Sequence, residues 1–451
     1  MKFPESSVSS PEKQNPKQFR SPTIVLFFVL VLFGIFRAWS TAAPTAGIDF
    51  YQFWVVGQAL NRPGVTNWYS EQVLRGLRAE FLEMAKQTGN PLQLAVARYR
   101  QELEIYSSPF LYATFRMFST GNYATDLRNY HLLVIFCLIF SIVILGRLLD
   151  HSWETTLAAI AVFSTWFGPF LSDMYVGNVS TLQLAPLAFH LWMVNRTQWR
   201  HREILGGVIF GLAVAFKPNV VLVPSVLTLH WLFTKHIRRM WFHAIGSLVG
   251  LGIAIAIAAL TFGSMHCWID WLSALRSLPD QFIQVAWGNY ALAWMLSEWC
   301  GVNVRVPLAI AFGSLLVLVM WKRRQEIIDS NDSILRPNLV PEIFALSLGC
   351  LFVVLIPQLA WLHYYVFTIP AFLLLLLPLS NSPPEVRSNL WRCFLVTLAI
   401  LGFASETFVS VGIKLSAHAQ GLIVILATLI VFGLIISQTY SQKSIIDNPS
   451  L

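Results

Sequence analysis

Residues 245–262 read IGSLVGLGIAIAIAALTF, eighteen positions without one Asp, Glu, Lys or Arg. As an α-helix, with a rise of about 1.5 Å per residue, such a run spans about 27 Å, close to the roughly 30 Å hydrocarbon core of a bilayer. Comparable runs recur at Ser21–Phe36, His131–Gly146 and Gly421–Ile436. A soluble domain has no use for so many. Composition agrees: 56% of the 451 residues are hydrophobic and only 12% are charged, about half the charge of an ordinary soluble domain. The expected architecture is an all-α polytopic membrane protein, a bundle of about 12 transmembrane helices with a range of about 10–13.

The formal net charge of +8 does not collect on one face, as nucleic-acid binding would require. Basic residues fall in short clusters between apolar blocks: Lys13, Lys17 and Arg20; Arg196, Arg200 and Arg202; Lys235, Arg238 and Arg239; Lys322, Arg323 and Arg324. Such clusters mark cytoplasmic loops. Placing all of them inside demands an odd number of crossings between the outer end of the first helix and Arg196, where four apolar stretches lie. The weakest is Pro109–Phe118, which is short, opens on proline and contains Arg116, so it is assigned a half-inserted or interfacial position. The links at 173–178, 217–219 and 358–363 then lie outside. Residues 1–20 form a disordered cytoplasmic tail. A single membrane domain covers 21–438, with outer loops at 41–106 and 263–305 and a cytoplasmic link at 322–341, and 439–451 is a cytoplasmic tail. An uncleaved first helix is expected, because Arg37 follows the apolar run and Pro44 follows Ala42-Ala43, where a peptidase would cut.

The first outer loop is patterned. Leu74, Leu77, Phe81 and Met84 recur at helical spacing beside Arg75, Arg78, Glu80 and Glu83; Gly89-Asn90-Pro91 interrupts, and a second amphipathic stretch runs from Leu92 to Leu103. Two interfacial helices are expected there. The five cysteines show no CxxC spacing, so neither a metal nor a redox centre is expected. For Cys267 and Cys300, pairing outside the membrane and two packed thiols both stay open.

Within Gly47-Ile48-Asp49-Phe50-Tyr51-Gln52-Phe53-Trp54 a lone carboxylate sits among aromatic rings just after the first helix. Partial desolvation makes a carboxylate a better proton acceptor, suited to a hydroxyl nearby. Alternatively, Asp49 is simply the N-cap of a helix starting at Phe50. Lys217 follows the apolar stretch Gly206–Phe216 and precedes Pro218-Asn219, where two short membrane helices meet and an ammonium can bind a phosphate or merely reach lipid headgroups. Gly177-Asn178 and Asn289 carry neutral amides that suit a sugar and suit a turn equally. Trp361-Leu362-His363-Tyr364-Tyr365 opens a helix with an imidazole and three rings, which serve a phosphate, a sugar or an interfacial aromatic belt.

Taken in this order, these segments resemble the polyprenol-phosphate-dependent glycosyltransferases of family 87, a branch of the C-type membrane glycosyltransferase fold that includes bacterial phospholipid mannosyltransferases. The resemblance runs from about Ile48 to Leu377. It is carried by Asp49-Phe50 with Phe53-Trp54 and Gly57, by Trp68-Tyr69, Tyr106–Pro109 and Gly177-Asn178, then by Gly207–Gly211 leading into Lys217-Pro218, Gly288-Asn289, and Trp361–Tyr364 leading into Pro370. Three places depart from the family pattern: Asn178 stands for a Gln, Ser107-Ser108-Pro109 for a double proline, and Ser70 for an Asp.

The resemblance implies inverting transfer of a hexose or pentose, mannose above others, from a polyprenyl-phosphate-linked donor to a lipid or glycan acceptor outside the cytoplasm. Asp49 is then the general base, Lys217 and His363 hold the donor phosphate, and Tyr51, Trp54, Asn178, Asn219, Asn289, Trp361 and Tyr364 bind substrate. No cofactor or metal enters this scheme, and the expected partners are these substrates and membrane lipid. The competing reading is a transporter or flippase of a lipid-linked sugar, which calls for ionisable or helix-breaking residues at mid-membrane; the acidic residues here lie mostly at helix ends, with Glu406 ambiguous. A catalytically silent scaffold would have no need of Asp49.

Overall fold

The computed structural model describes residues 22–62, 67–196, 199–277, 284–285, 288–329, 339–376, 386–404 and 415–446. The tail expected at 1–20, Glu406, and the centre of the link at 330–338 lie outside the described residues. Within them helices are the only regular elements, joined by turns and loops, and an isolated bridge pairs Asn289 with Trp361.

The chain starts with α1 (Pro22–Ala42), α2 (Ile48–Ala59), α3 (Glu71–Thr88), α4 (Pro91–Tyr99) and α5 (Pro109–Phe115), then α6 (Tyr123–Leu148). With seven residues, α5 rises about 10 Å, a third of a bilayer core, and cannot cross one. The Gly89-Asn90-Pro91 break works as its chemistry dictates. Gly89 ends α3 at φ 65°, the Asn90 side chain accepts the Gln93 N–H at 3.0 Å, and Pro91 opens α4. Leu77, Phe81 and Ala85 form the buried stripe of α3. The helix α4 stops at Tyr99, short of the Leu103 expected, and Arg100 leaves helical geometry.

Next, α7 (Trp153–Thr165) and α8 (Gly168–Val176) meet at a 54° bend, with Pro169 in the first turn of α8. After α9 (Ser180–Arg196) come α10 (Arg202–Phe216), α11 (Leu222–Phe233), α12 (Ile237–Phe262), α13 (His266–Arg276), α14 (Leu292–Cys300) and α15 (Arg305–Asp329). The chain finishes with α16 (Leu339–Leu355), α17 (Ile369–Leu375), α18 (Val386–Phe403) and α19 (Ala417–Ile446). Helical structure therefore runs to Asp329 inside the expected link and to Ile446 inside the expected C-terminal tail. Among the described residues five helices, α1, α6, α12, α15 and α19, are long and apolar enough to cross a membrane, and the bent α7–α8 pair, taken as one span, makes a sixth. The protein is thus an all-helical membrane protein. Cys267 is buried and Cys300 exposed, and neither is in a disulfide.

Apolar on every side, α16 is the innermost helix: Ile343–Leu355 is buried almost without interruption, and so is 362–375, which packs against it. The closest helix pair is α10 with α12, where Gly207 and Gly211 face Gly246 and Gly250. A Cβ on Gly211 would lie 2.1 Å from the Ser247 carbonyl oxygen, and one on Gly246 2.1 Å from that of Ile204. Small residues four apart let two backbones touch, the usual route to tight association without a hydrophobic driving force. Gly211→Leu must push backbone aside rather than a flexible side chain. We expect about 3 kcal/mol of destabilisation, read as a lowered melting temperature in detergent, because overpacking typically costs about 1–3 kcal/mol and a rigid contact falls at the upper end.

Candidate active site

Five of the expected residues converge, delivered by four different parts of the chain. Gly47 enters α2 at φ 59°, and its carbonyl, with that of Ala46, accepts from the Tyr123 hydroxyl. Asp49 is therefore in the first turn of α2 and is not its N-cap, correcting the capping alternative: Gly47 is the cap residue, and no side chain caps that end. The free N–H groups of a first turn favour an anion there.

Both carboxylate oxygens of Asp49 are engaged. Oδ1 accepts from Arg100 Nη2 at 3.0 Å, and Oδ2 from Asn178 Nδ2 at 2.7 Å. Asn178 Oδ1 in turn accepts from Lys217 Nζ at 2.9 Å. The orientation of that amide is forced by chemistry, since a carboxylate only accepts and an ammonium only donates. Lys217 Nζ also lies 4.3 Å from the centre of the Tyr364 ring, and the His363 ring stands edge-on to Tyr364 with centroids 4.8 Å apart. The order across the site is Arg100, Asp49, Asn178, Lys217, Tyr364, His363.

The turn bearing Asn178 is built around Asp173 at the end of α8. Its main-chain oxygen accepts the N–H groups of Gly177 and Asn178, and its buried carboxylate accepts those of Ser180 and Thr181. Gly177 is at φ 72°, and a Cβ there would meet Phe50 Cβ at 2.6 Å, so only glycine lets this turn sit against α2. Lys217 closes α10 and is fixed through its main chain: Gln183 Nε2 donates to its carbonyl at 3.0 Å, and the Ser108 hydroxyl to that of Phe216 at 2.8 Å.

Beside this line lie buried polar atoms without a partner among the protein's own groups: His363 Nε2, both amide atoms of Asn219, and Gln183 Oε1. Buried polar groups are nearly always satisfied, so these atoms, with the Lys217 ammonium, suit a ligand rich in oxygen. Among the described residues no cluster of three His, Cys, Asp or Glu could hold a metal.

The remaining expected residues are not brought together. Trp54 is fully buried, and its indole N–H donates to Asp126 Oδ2 at 2.8 Å, which makes it a core residue. Tyr51 is buried with its ring edge-on to Tyr123. On a helix these positions lie about 140° and 200° from Asp49, whereas Gln52, three residues on, shares its side; Gln52 Oε1 accepts the Glu104 N–H at 2.6 Å. Asn289 uses its amide on main chain, accepting from Ala291 and Ala360 and donating to Gln358. With Trp361, its bridge partner, it props up the 3-10 turn Leu362–Thr368 that carries His363 and Tyr364. Arg100, Glu104, Gln52, Asp173 and Gln183 were not singled out by the sequence pattern. The one available signal was their rarity as polar groups within apolar or amphipathic stretches.

The family model described as Glycosyltransferase family 87 matches residues 106–357. A curated relative from Mycobacterium tuberculosis (strain CDC 1551 / Oshkosh), a polyprenol-phosphate-mannose-dependent alpha-(1-2)-phosphatidylinositol pentamannoside mannosyltransferase, is 23% identical over 282 residues, 61% of this chain and 58% of the relative. The matched stretch thus spans less than two thirds of the relative's length. No solved structure matches the chain.

Proposed function

The chain belongs to glycosyltransferase family 87, and from that premise we propose that it transfers a sugar, with mannose as first choice, from a polyprenyl-phosphate carrier to a hydroxyl of a lipid or glycan acceptor. Asp49 takes the proton of the acceptor hydroxyl, and the freed oxygen attacks the anomeric carbon on the side opposite the phosphate. The bond from that carbon to the phosphate oxygen breaks, its electron pair leaves with the polyprenyl phosphate, and the anomeric configuration inverts. Lys217 offsets the charge developing on the leaving phosphate, with His363 and Asn219 as further contacts, while Tyr364 flanks the sugar. A carrier lipid reaches such a site through the bilayer, in a bundle of about 12 crossings with both termini cytoplasmic and the site on the outer side.

The observation that carries the reading is a carboxylate and an ammonium held one amide apart, at 2.7 Å and 2.9 Å. Displacement of a phosphate by a hydroxyl needs a base at one end and a cation at the other. The test is purified protein in liposomes with a labelled polyprenyl-phosphate mannose and a lipid extract as acceptor. The expected result is a new mannosylated lipid; movement of the donor between leaflets with no new glycosidic bond would instead establish a flippase.

A further inference from the structure

We propose that Arg100 is the positioning residue of the site, holding the Asp49 carboxylate in place while Glu104 balances its charge. This rests on the reading of Asp49 as the base. Arg100 follows the last turn of α4, and its guanidinium is nearly buried, with 11% of the side chain exposed. Each of its three nitrogens is committed: Nη2 to Asp49 Oδ1 at 3.0 Å, Nη1 to Glu104 Oε2, and Nε to the Ile48 carbonyl at 3.3 Å. Two of these partners belong to the first turn of α2, so the planar fork fixes both the main chain and the side chain around Asp49. Glu104 is anchored in its own right by the bond from its N–H to Gln52, one helical turn beyond Asp49. The Gly89-Asn90-Pro91 corner and α4, which packs on α2 and α6, thus deliver one cation to the carboxylate.

The electrostatics give this arrangement a direction. One guanidinium is shared between two carboxylates, and burial raises the Glu104 carboxyl above its usual range against the pull of Arg100. The other ionisable groups facing Asp49 are Lys217 after α10, Tyr112 on α5, Tyr130 on α6 and Tyr364, with Asp173 behind Lys217; they are the same in every variant below. Removing Arg100 leaves Asp49 beside Glu104 without the intervening cation, so the carboxylate binds its proton more tightly. Removing the charge of Glu104 gives the whole guanidinium to Asp49 and has the opposite effect.

The experiment is an infrared pH titration of full-length protein in nanodiscs, with spectra of Asp49→Asn subtracted to isolate the Asp49 carboxylate band, run alongside the pH profile of sugar transfer. In Arg100→Ala the band should titrate about one pH unit higher, a tenfold change in proton affinity, and the acid limb of the rate should move with it. In Glu104→Gln both should move down, and Arg100→Lys, which keeps the charge and loses the fork, should restore the titration without restoring full turnover. An unchanged band in folded Arg100→Ala or in folded Glu104→Gln overturns the proposal. If Arg100→Ala does not fold, Glu104→Gln alone decides. Failure of the glycosyltransferase reading looks different: the band would shift as expected in a protein that makes no glycosidic bond, or one in which Asp49→Asn is fully active.

Discussion

Asp49→Asn is expected to lower sugar transfer by about 10²–10⁴-fold, the usual contribution of a positioned general base. Asparagine keeps the size of the side chain but presents an N–H₂ where one acceptor oxygen stood. Asn178 cannot turn to meet it, because Lys217 holds the Asn178 oxygen at 2.9 Å. One hydrogen bond to a neighbour is therefore lost, at a cost of about 1–3 kcal/mol, and the helices around it stay packed. The measurement is initial rate against melting temperature: a folded variant without turnover is the expected result, and a folded variant at full rate would remove Asp49 from the mechanism.

Lys217→Met should cost about 10²–10³-fold in transfer, the range found when one preorganised group that stabilises developing negative charge is deleted. Methionine fills the same volume against the Tyr364 ring. Asn178 Oδ1 still accepts the Val179 N–H at 2.8 Å, so no buried acceptor is orphaned and the fold should survive. The deficit should appear in donor binding and in turnover together, since the ammonium faces the phosphate both before and during bond breaking. Titration of the variant with polyprenyl phosphate alone checks the first part: affinity equal to that of the wild type would place the phosphate elsewhere.

Both residues stand out in the sequence for one reason, that a charged side chain in so apolar a chain is expensive and therefore informative. The long helices are legible on the same ground. Short elements are less so: α5, α8 and the 3-10 turns at 218–221 and 362–368 carry too few residues for hydropathy to separate a crossing from a corner. Trp54 and Asn289 are harder to place from sequence, because an aromatic ring or a neutral amide serves a core or a turn as readily as a ligand. Which use prevails depends on partners distant in sequence, Asp126 for one and the main chain of Gln358 and Ala360 for the other. Arg100 was hidden inside an apparent amphipathic helix. Read as part of that helix it is a solvent-facing cation; because the helix stops at Tyr99, the chain turns and carries it to Asp49.

Membership of family 87 and the pairing of Asp49 with Lys217 through a single amide together support an enzyme that works on lipid-linked sugars. The most direct test is mass spectrometry of the lipid-linked glycans from cells lacking this protein, complemented either by the wild type or by Asp49→Asn. The account predicts that the deleted strain and the Asp49→Asn strain accumulate the same lipid, one sugar short, and that the wild type alone restores it. An unaltered lipid profile on deletion, or full restoration by Asp49→Asn, would contradict it.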